Sequence, residues 1–180
     1  MKENSKSFNS SEEFQKALSA MHSYQQRHIS IREDYELLLE ITTSYEKDYA
    51  KFNSLYRASL KGFLSLIESD IYGLNQIDPY EGYTDKHSFE HKFKRTFKKI
   101  CNTWNKEEII SKYLDSKYAN LKNLKKKRDK LIHPKETSDL INVNLNQLET
   151  LKLGFQDYTN LIDSIMNGFF ISPKNFNFFT

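Results

Sequence analysis

Arg128 and His133 are the two side chains whose types and spacing best suit chemistry. They lie in the stretch 128–135, at the predicted end of a long basic helix. An arginine fork holds a phosphate through two hydrogen bonds, and an imidazole exchanges protons near neutral pH. Together these side chains suit chemistry on a phosphodiester.

The position of the helix end decides whether the two side chains can meet. On an ideal α-helix, a five-residue step turns about 500°, which leaves the side chains about 140° apart around the axis and about 7.5 Å apart along it. A straight helix would therefore separate them. Because Pro134 disfavours the α region for His133, we expect the helix to break there and the imidazole to turn back toward Arg128.

The composition favours a single all-α domain. The chain of 180 residues has only five Gly and three Pro, and it is rich in Lys, Leu, Glu, Tyr and Phe. It has no apolar run of membrane-spanning length, and its amino terminus lacks the apolar core of a secretory signal, so we expect a cytoplasmic protein without membrane contact. Cys101 is the only cysteine, which excludes an internal disulfide. Its apolar neighbours favour a packed thiol over a nucleophile.

The charge is strongly asymmetric along the chain. Residues 86–135 hold 16 Lys or Arg against 5 Asp or Glu, a net charge of +11 in a chain of net charge +3, which leaves −8 for the remainder. A basic block beside an acidic remainder is typical of a site for a polyanion such as a nucleic acid. Lysine-rich helices are also commonly just solvated faces, so the charge alone leaves both interpretations open.

The apolar periodicity predicts roughly five to six helices. We expect residues 1–9 to be a flexible amino terminus, 10–170 a single helical domain and 171–180 an aromatic tail that docks on the body or on a second subunit. The first predicted helix runs from the Ser10–Glu13 capping box to about Arg27, and a second box at Ser30–Glu33 opens a helical stretch to about Ile77 with a break in 41–48. A helix over 86–103 follows, capped by Thr84 or Asp85. The last two are a basic helix from about Glu107 to Ile132 and a final helix over 145–169.

Arg128, Asp129 and His133 resemble the signature of the HEPN superfamily. That signature is an arginine, a polar residue, a few variable positions and a histidine, within a helical domain. Helices before the signature and one long helix after it extend the resemblance loosely over residues 30–170. Some HEPN toxins carry a tyrosine two residues after the histidine that a partner enzyme modifies; here that position is Lys135.

The resemblance implies a two-fold dimer in which two signatures face each other and form a metal-independent endoribonuclease, without a cofactor. Such proteins act as toxins of toxin–antitoxin systems or as antiviral-defence effectors, so the implied partners are RNA, a second copy and a cognate antitoxin or defence protein. Arg128 would stabilise the phosphate, His133 would transfer the proton and Asp129 would orient one of them. The flanking lysines expected to bind RNA are Lys127, Lys130 and Lys135.

Three alternatives stay open from the sequence. Arg128 can be an ordinary salt-bridge residue while His133 caps the last helical turn. The domain can also be a noncatalytic module that binds RNA, a nucleotide or a protein. Finally, His87-Ser88-Phe89-Glu90-His91 matches an inverted zinc-protease pattern, but no third ligand can be identified. Glu68, in an apolar helix, is either a supporting group of the site or an ordinary surface carboxylate.

Overall fold

The regular structure of residues 10–137 and 143–167 is entirely helical. The computed structural model describes residues 10–137 and 143–167, and within them it contains no strand. This confirms the all-α class and the expected number of helices, whereas the predicted flexible amino terminus and aromatic tail lie outside the described residues. The six helices are α1 (Ser11–Ser44), α2 (Tyr49–Ile77), α3 (Phe89–Thr103), α4 (Glu107–Ser116), α5 (Tyr118–Ile132) and α6 (Leu145–Met166).

The first predicted helix starts as expected but is much longer. The Ser10 side chain accepts a hydrogen bond from the Glu13 amide, so the predicted helix start is correct. The predicted end near Arg27 is wrong, because α1 continues to Ser44 and the second box at Ser30 lies inside it. No Gly or Pro interrupts the helix there, so its backbone hydrogen bonds continue and leave no free amides for Ser30 to cap. The predicted break within 41–48 is confirmed, with Asp48 capping α2.

The helix after the loop begins later than predicted. Ser88 caps α3 by accepting a hydrogen bond of 3.2 Å from the His91 amide. Thr84 does not cap the helix but shapes the preceding turn, where its carbonyl accepts from the His87 amide at 3.1 Å. The loop between α2 and α3 therefore continues to Ser88, past the helix start predicted at residue 86.

The long basic helix is in fact two helices, α4 and α5, joined at Lys117. Tyr113 and Tyr118 lie on either side of this bend, and both are buried. In one straight helix these side chains would point about 140° apart. The bend lets both rings face the core, although neither Gly nor Pro marks it in the sequence.

Helix α2 lies at the centre of the bundle and packs against α1, α3, α5 and α6. Aromatic rings connect these helices: Phe63 of α2 lies 5.7 Å from the Tyr35 ring and 5.9 Å from the Tyr158 ring. Cys101 is fully buried in this core, and burial raises the pKa of its thiol to about 12, as expected for a packed thiol. Within the described part of the chain, no helix combines the length and apolarity needed to cross a bilayer.

A buried carboxylate joins three of the helices. Asp70 of α2 is fully buried, and its oxygens lie 2.9 and 3.0 Å from Nδ1 of His28 on α1. The Tyr158 hydroxyl of α6 donates to the same carboxylate at 2.6 Å. Burial raises the pKa of Asp70, against the opposing effect of its hydrogen bonds with His28 and Tyr158.

We expect Asp70→Asn to change the pH dependence of stability. Because the pKa of Asp70 is raised above its ordinary 3.8, the folded protein binds this proton more tightly than the unfolded chain does. The resulting stabilisation is present below the unfolded pKa and is lost as pH rises through the folded one. The Tm of the wild type relative to Asp70→Asn should therefore fall from about pH 4 to about pH 5.5, below the ordinary titration range of histidine.

Thermal unfolding followed by circular dichroism measures this difference. Asp115→Asn, at an exposed position of α4, is the matched control and should show no such trend. A Tm difference that stays constant or moves in favour of the wild type would contradict the assignment.

Candidate functional site

Helix α5 carries both Arg128 and His133. It ends at Ile132, and His133 is the first residue beyond it, with φ −126° and ψ 64°. The His133 amide still donates to the Asp129 carbonyl at 3.0 Å, which closes the last turn. The break expected from Pro134 is therefore confirmed.

Arg128 is held against α2 by an ion pair. Its Nη2 donates to Oε1 of Glu68, and only 15% of its side chain is exposed, compared with 45% for Glu68. Its Nε lies 3.7 Å from Oδ1 of Asp129, is buried and makes no hydrogen bond. The salt bridge that the structural alternative required is thus present. Its partner is Glu68, the carboxylate considered as a supporting group of the site.

His133 is exposed to solvent at the end of α5. Its imidazole makes no hydrogen bond with any described residue, so it does not cap the free carbonyls of the last turn; only its backbone amide takes part in the cap. No hydrogen bond joins it to Arg128. The two signature residues are near in sequence, but within one chain no hydrogen bond connects their side chains.

A cavity of about 220 Å³ opens in front of Arg128. Lys92 of α3 and Lys125 of α5 line it together with Arg128, and Glu68 is its carboxylate. Tyr83 and Phe89 form its aromatic side, with the Lys125 ammonium 5.6 Å from the centroid of the Phe89 ring. Three cations and one carboxylate line this cavity, and Asp129 outside the lining pairs with Lys125, which leaves one net positive charge suited to an anion such as a phosphate. We refer to it as the Arg128 cavity.

The other predicted site residues lie around the Arg128 cavity and not in it. The Asp129 carboxylate accepts a hydrogen bond from Lys125, and at 3.7 Å it is too far from Arg128 Nε for a hydrogen bond. Lys127 is half-buried, whereas Lys130 and Lys135 are exposed, and none of the three lines the cavity.

Two lysines of the Arg128 cavity were not singled out from the sequence. Lys125 is three residues before Arg128, so the helical spacing placed both on one face and could have indicated it. Lys92 belongs to another helix, and no local pattern connects it with Arg128. Only the packing of α3 beside α5 and α2 reveals its position.

The His87–His91 pair shows no metal site. Its rings lie 4.2 Å apart, but Glu90 forms ion pairs with Lys94 at 2.7 Å and with Lys122 at 3.4 Å. Hydrogen bonding to Lys94 lowers the pKa of Glu90. Among residues 10–137 and 143–167, no group of three or more His, Cys, Asp or Glu could hold a metal ion.

Comparison of the chain with protein-family models, with curated proteins and with solved structures gave no match. The function is therefore inferred from three features of the molecule. They are the signature on α5, the Arg128 cavity and the charge around it.

We expect Glu68→Gln to strengthen anion binding at the Arg128 cavity. The Glu68 carboxylate competes with an incoming anion for the guanidinium, and removing an ion pair worth about 1 kcal/mol should raise the affinity about fivefold. Titration of inorganic phosphate by isothermal calorimetry measures this change.

Glu108→Gln, which removes an exposed carboxylate of α4, is the matched control for net charge. Equal gains in both variants would show a general charge effect. Unchanged or weaker binding in Glu68→Gln would show that Glu68 does not compete for Arg128.

Proposed function

We propose that this protein is a metal-independent endoribonuclease of HEPN type whose composite site forms between two copies of the chain. The observation that carries the proposal is the half-buried Arg128 guanidinium in a cavity with two further cations, on the same helix that ends at an exposed histidine. This arrangement fits the phosphate-binding and proton-transfer parts of the chemistry.

Cleavage of RNA by its own 2′-hydroxyl requires a base, an acid and a cation for the crowded phosphate. The base removes the hydroxyl proton, the oxygen attacks the neighbouring phosphorus, and the bond to the 5′-oxygen breaks as the acid protonates that leaving group. Arg128 stabilises the charge that develops on the phosphate oxygens. His133 transfers the protons, and Asp129 is a positioning residue that acts on Arg128 or through Lys125.

The Glu68 ion pair is compatible with this role for Arg128. A guanidinium has five N–H donors: Nη2 donates one of them to Glu68 and the Nε donor is buried, which leaves those of Nη1 and the second one of Nη2. Arg128 therefore keeps donors for a phosphate, and Glu68 holds the side chain in a fixed position. The ion pair both orients the arginine and competes for its charge.

A second copy of the chain supplies what one chain lacks. One signature contains a single histidine, whereas a two-fold dimer brings two histidines and two arginines around one phosphate, so that the base and the acid come from opposite copies. His133 and the adjacent Ile132 are both exposed, and 40% of the Ile132 surface is accessible. This end of α5 is therefore open to a partner copy.

An enzyme of this kind requires restraint in the cell. We propose a role as a toxin or an antiviral-defence effector in the cytoplasm, controlled by a cognate partner protein. Because Lys135 occupies the position where some HEPN toxins have a tyrosine, that control does not use modification at this position.

The direct test is cleavage of a mixed RNA pool by the purified protein in EDTA. We expect cleavage that leaves 2′,3′-cyclic phosphate ends, and a loss of at least about a hundredfold in rate in both Arg128→Ala and His133→Ala. Lys61→Ala, at an exposed position of α2, is the control and should retain activity. No cleavage, or cleavage indifferent to both changes, would instead favour the noncatalytic binding module.

We expect Ile132→Glu to dissociate the dimer and abolish cleavage together, because the interface would have to desolvate a carboxylate where the wild type places an apolar side chain. Sedimentation velocity gives the oligomeric state, and the same RNA pool gives the activity. Leu37→Glu changes an equally apolar exposed residue on α1 and should leave both unchanged. A monomeric variant that still cleaves RNA would disprove the composite site.

A further inference from the structure

A second basic groove lies along α3, apart from the Arg128 cavity. It has a volume of about 450 Å³ and is formed by α3 and the loop between α2 and α3. Its cations are Arg95, Lys98 and Lys99, its aromatic side chain is Tyr80, and its carboxylate is Glu81. We call it the α3 groove.

Among the described residues, carboxylates form ion pairs with only a minority of its cations. Lys99 forms an ion pair of 3.7 Å with Asp78. Arg95 and Lys98, by contrast, have no carboxylate within ion-pair distance in the part of the chain that the structure describes, and the Arg95 guanidinium lies 5.5 Å from the centroid of the Tyr80 ring. Two lysines of the basic block, Lys94 and Lys122, are paired with Glu90 instead and do not contribute.

The α3 groove and the Arg128 cavity lie along the same side of α3. Lys92 lines the cavity and Lys99 lines the groove; on one helix their side chains point only about 20° apart and lie about 10 Å apart along the axis. Tyr83 lines the cavity and Tyr80 lines the groove, and their rings meet edge to face with centroids 5.5 Å apart. Cations and aromatic rings therefore extend from one site to the other.

We propose that the α3 groove binds the backbone of a single-stranded RNA and leads it to the Arg128 cavity. Cations that follow the phosphates and aromatic rings that contact bases are the usual combination for single strands. Because Tyr80 is only 6% exposed, the rings that a base can reach are the half-buried Tyr83 and Phe89 of the cavity. The positive charge of the groove favours a polyanion as the ligand. The position of both sites along α3 favours a polyanion long enough to occupy both. The inference takes its ligand class from the proposed ribonuclease function, but it assigns binding to residues outside the catalytic signature.

The test measures binding without cleavage. The probe is a fluorescently labelled 2′-O-methyl oligouridine of about ten nucleotides, which lacks the attacking hydroxyl and stays intact. The variant Arg95→Gln/Lys98→Gln removes the two unpaired cations of the groove. Lys61→Gln/Lys112→Gln removes the same charge from exposed positions on α2 and α4.

We expect the groove variant to bind the oligouridine about tenfold more weakly and to lower the slope of log affinity against log salt by about 1.4, the value for two lost phosphate contacts on a single strand. Its binding of inorganic phosphate should be unchanged, because the Arg128 cavity is intact. The control variant should retain the wild-type affinity and salt slope.

Equal weakening in both double variants, or in neither, would overturn the proposal. So would a groove variant that keeps its RNA affinity but loses binding to phosphatidylserine vesicles, which would identify a membrane surface. The two proposals can fail separately. If the wild type cleaves no RNA but the groove variant binds oligouridine more weakly, only the ribonuclease proposal is disproved. If the wild type cleaves RNA and the groove variant keeps its oligouridine affinity, only the groove proposal is disproved.

Discussion

The burial of α2 among four other helices is the constraint on which the rest of the structure depends. About half of its 29 residues are buried, and α1, α3, α5 and α6 all pack against it. Close approach is part of this packing, since a Cβ added at Gly73 would lie 2.6 Å from the Tyr24 ring of α1. Because Glu68 projects from the same helix, the packing of α2 also determines where Arg128 finds its partner.

The sequence predicted the fold well where the signals are local and less well where packing decides. Apolar spacing indicates helices because it marks one buried face, and Ser10 indicates a helix start because its side chain satisfies a backbone amide only three residues away. The bend at Lys117 has no such signal; it arises because Tyr113 and Tyr118 both have to reach the core. Ser30 shows the opposite error, since a capping pattern has no effect inside a helix that continues.

Some residues of the candidate site could likewise be predicted from local sequence features, whereas others could not. Arg128 and His133 are recognisable because their spacing and the following proline are local features, and Lys125 shares a helical face with Arg128. Glu68 and Lys92 reach the cavity from α2 and α3, so only tertiary packing reveals which of many charged residues contact the arginine. Net charge identified the basic block, but it could not separate cations held by Glu90 from those that face a groove.

The Arg128–Glu68 ion pair connects parts of the molecule that differ in local stability. Since the middle of α2 is buried, we expect its amide hydrogens to exchange with solvent only when the whole domain unfolds, and those in the last turn of α5, next to the exposed His133, to exchange through fraying. Arg128 lies on the second of these elements, α5, and is bound through Glu68 to the first, α2. Arg128, proposed to bind the phosphate, is thus anchored to the buried centre of the bundle, whereas His133, proposed to transfer the proton, belongs to an exposed helix end.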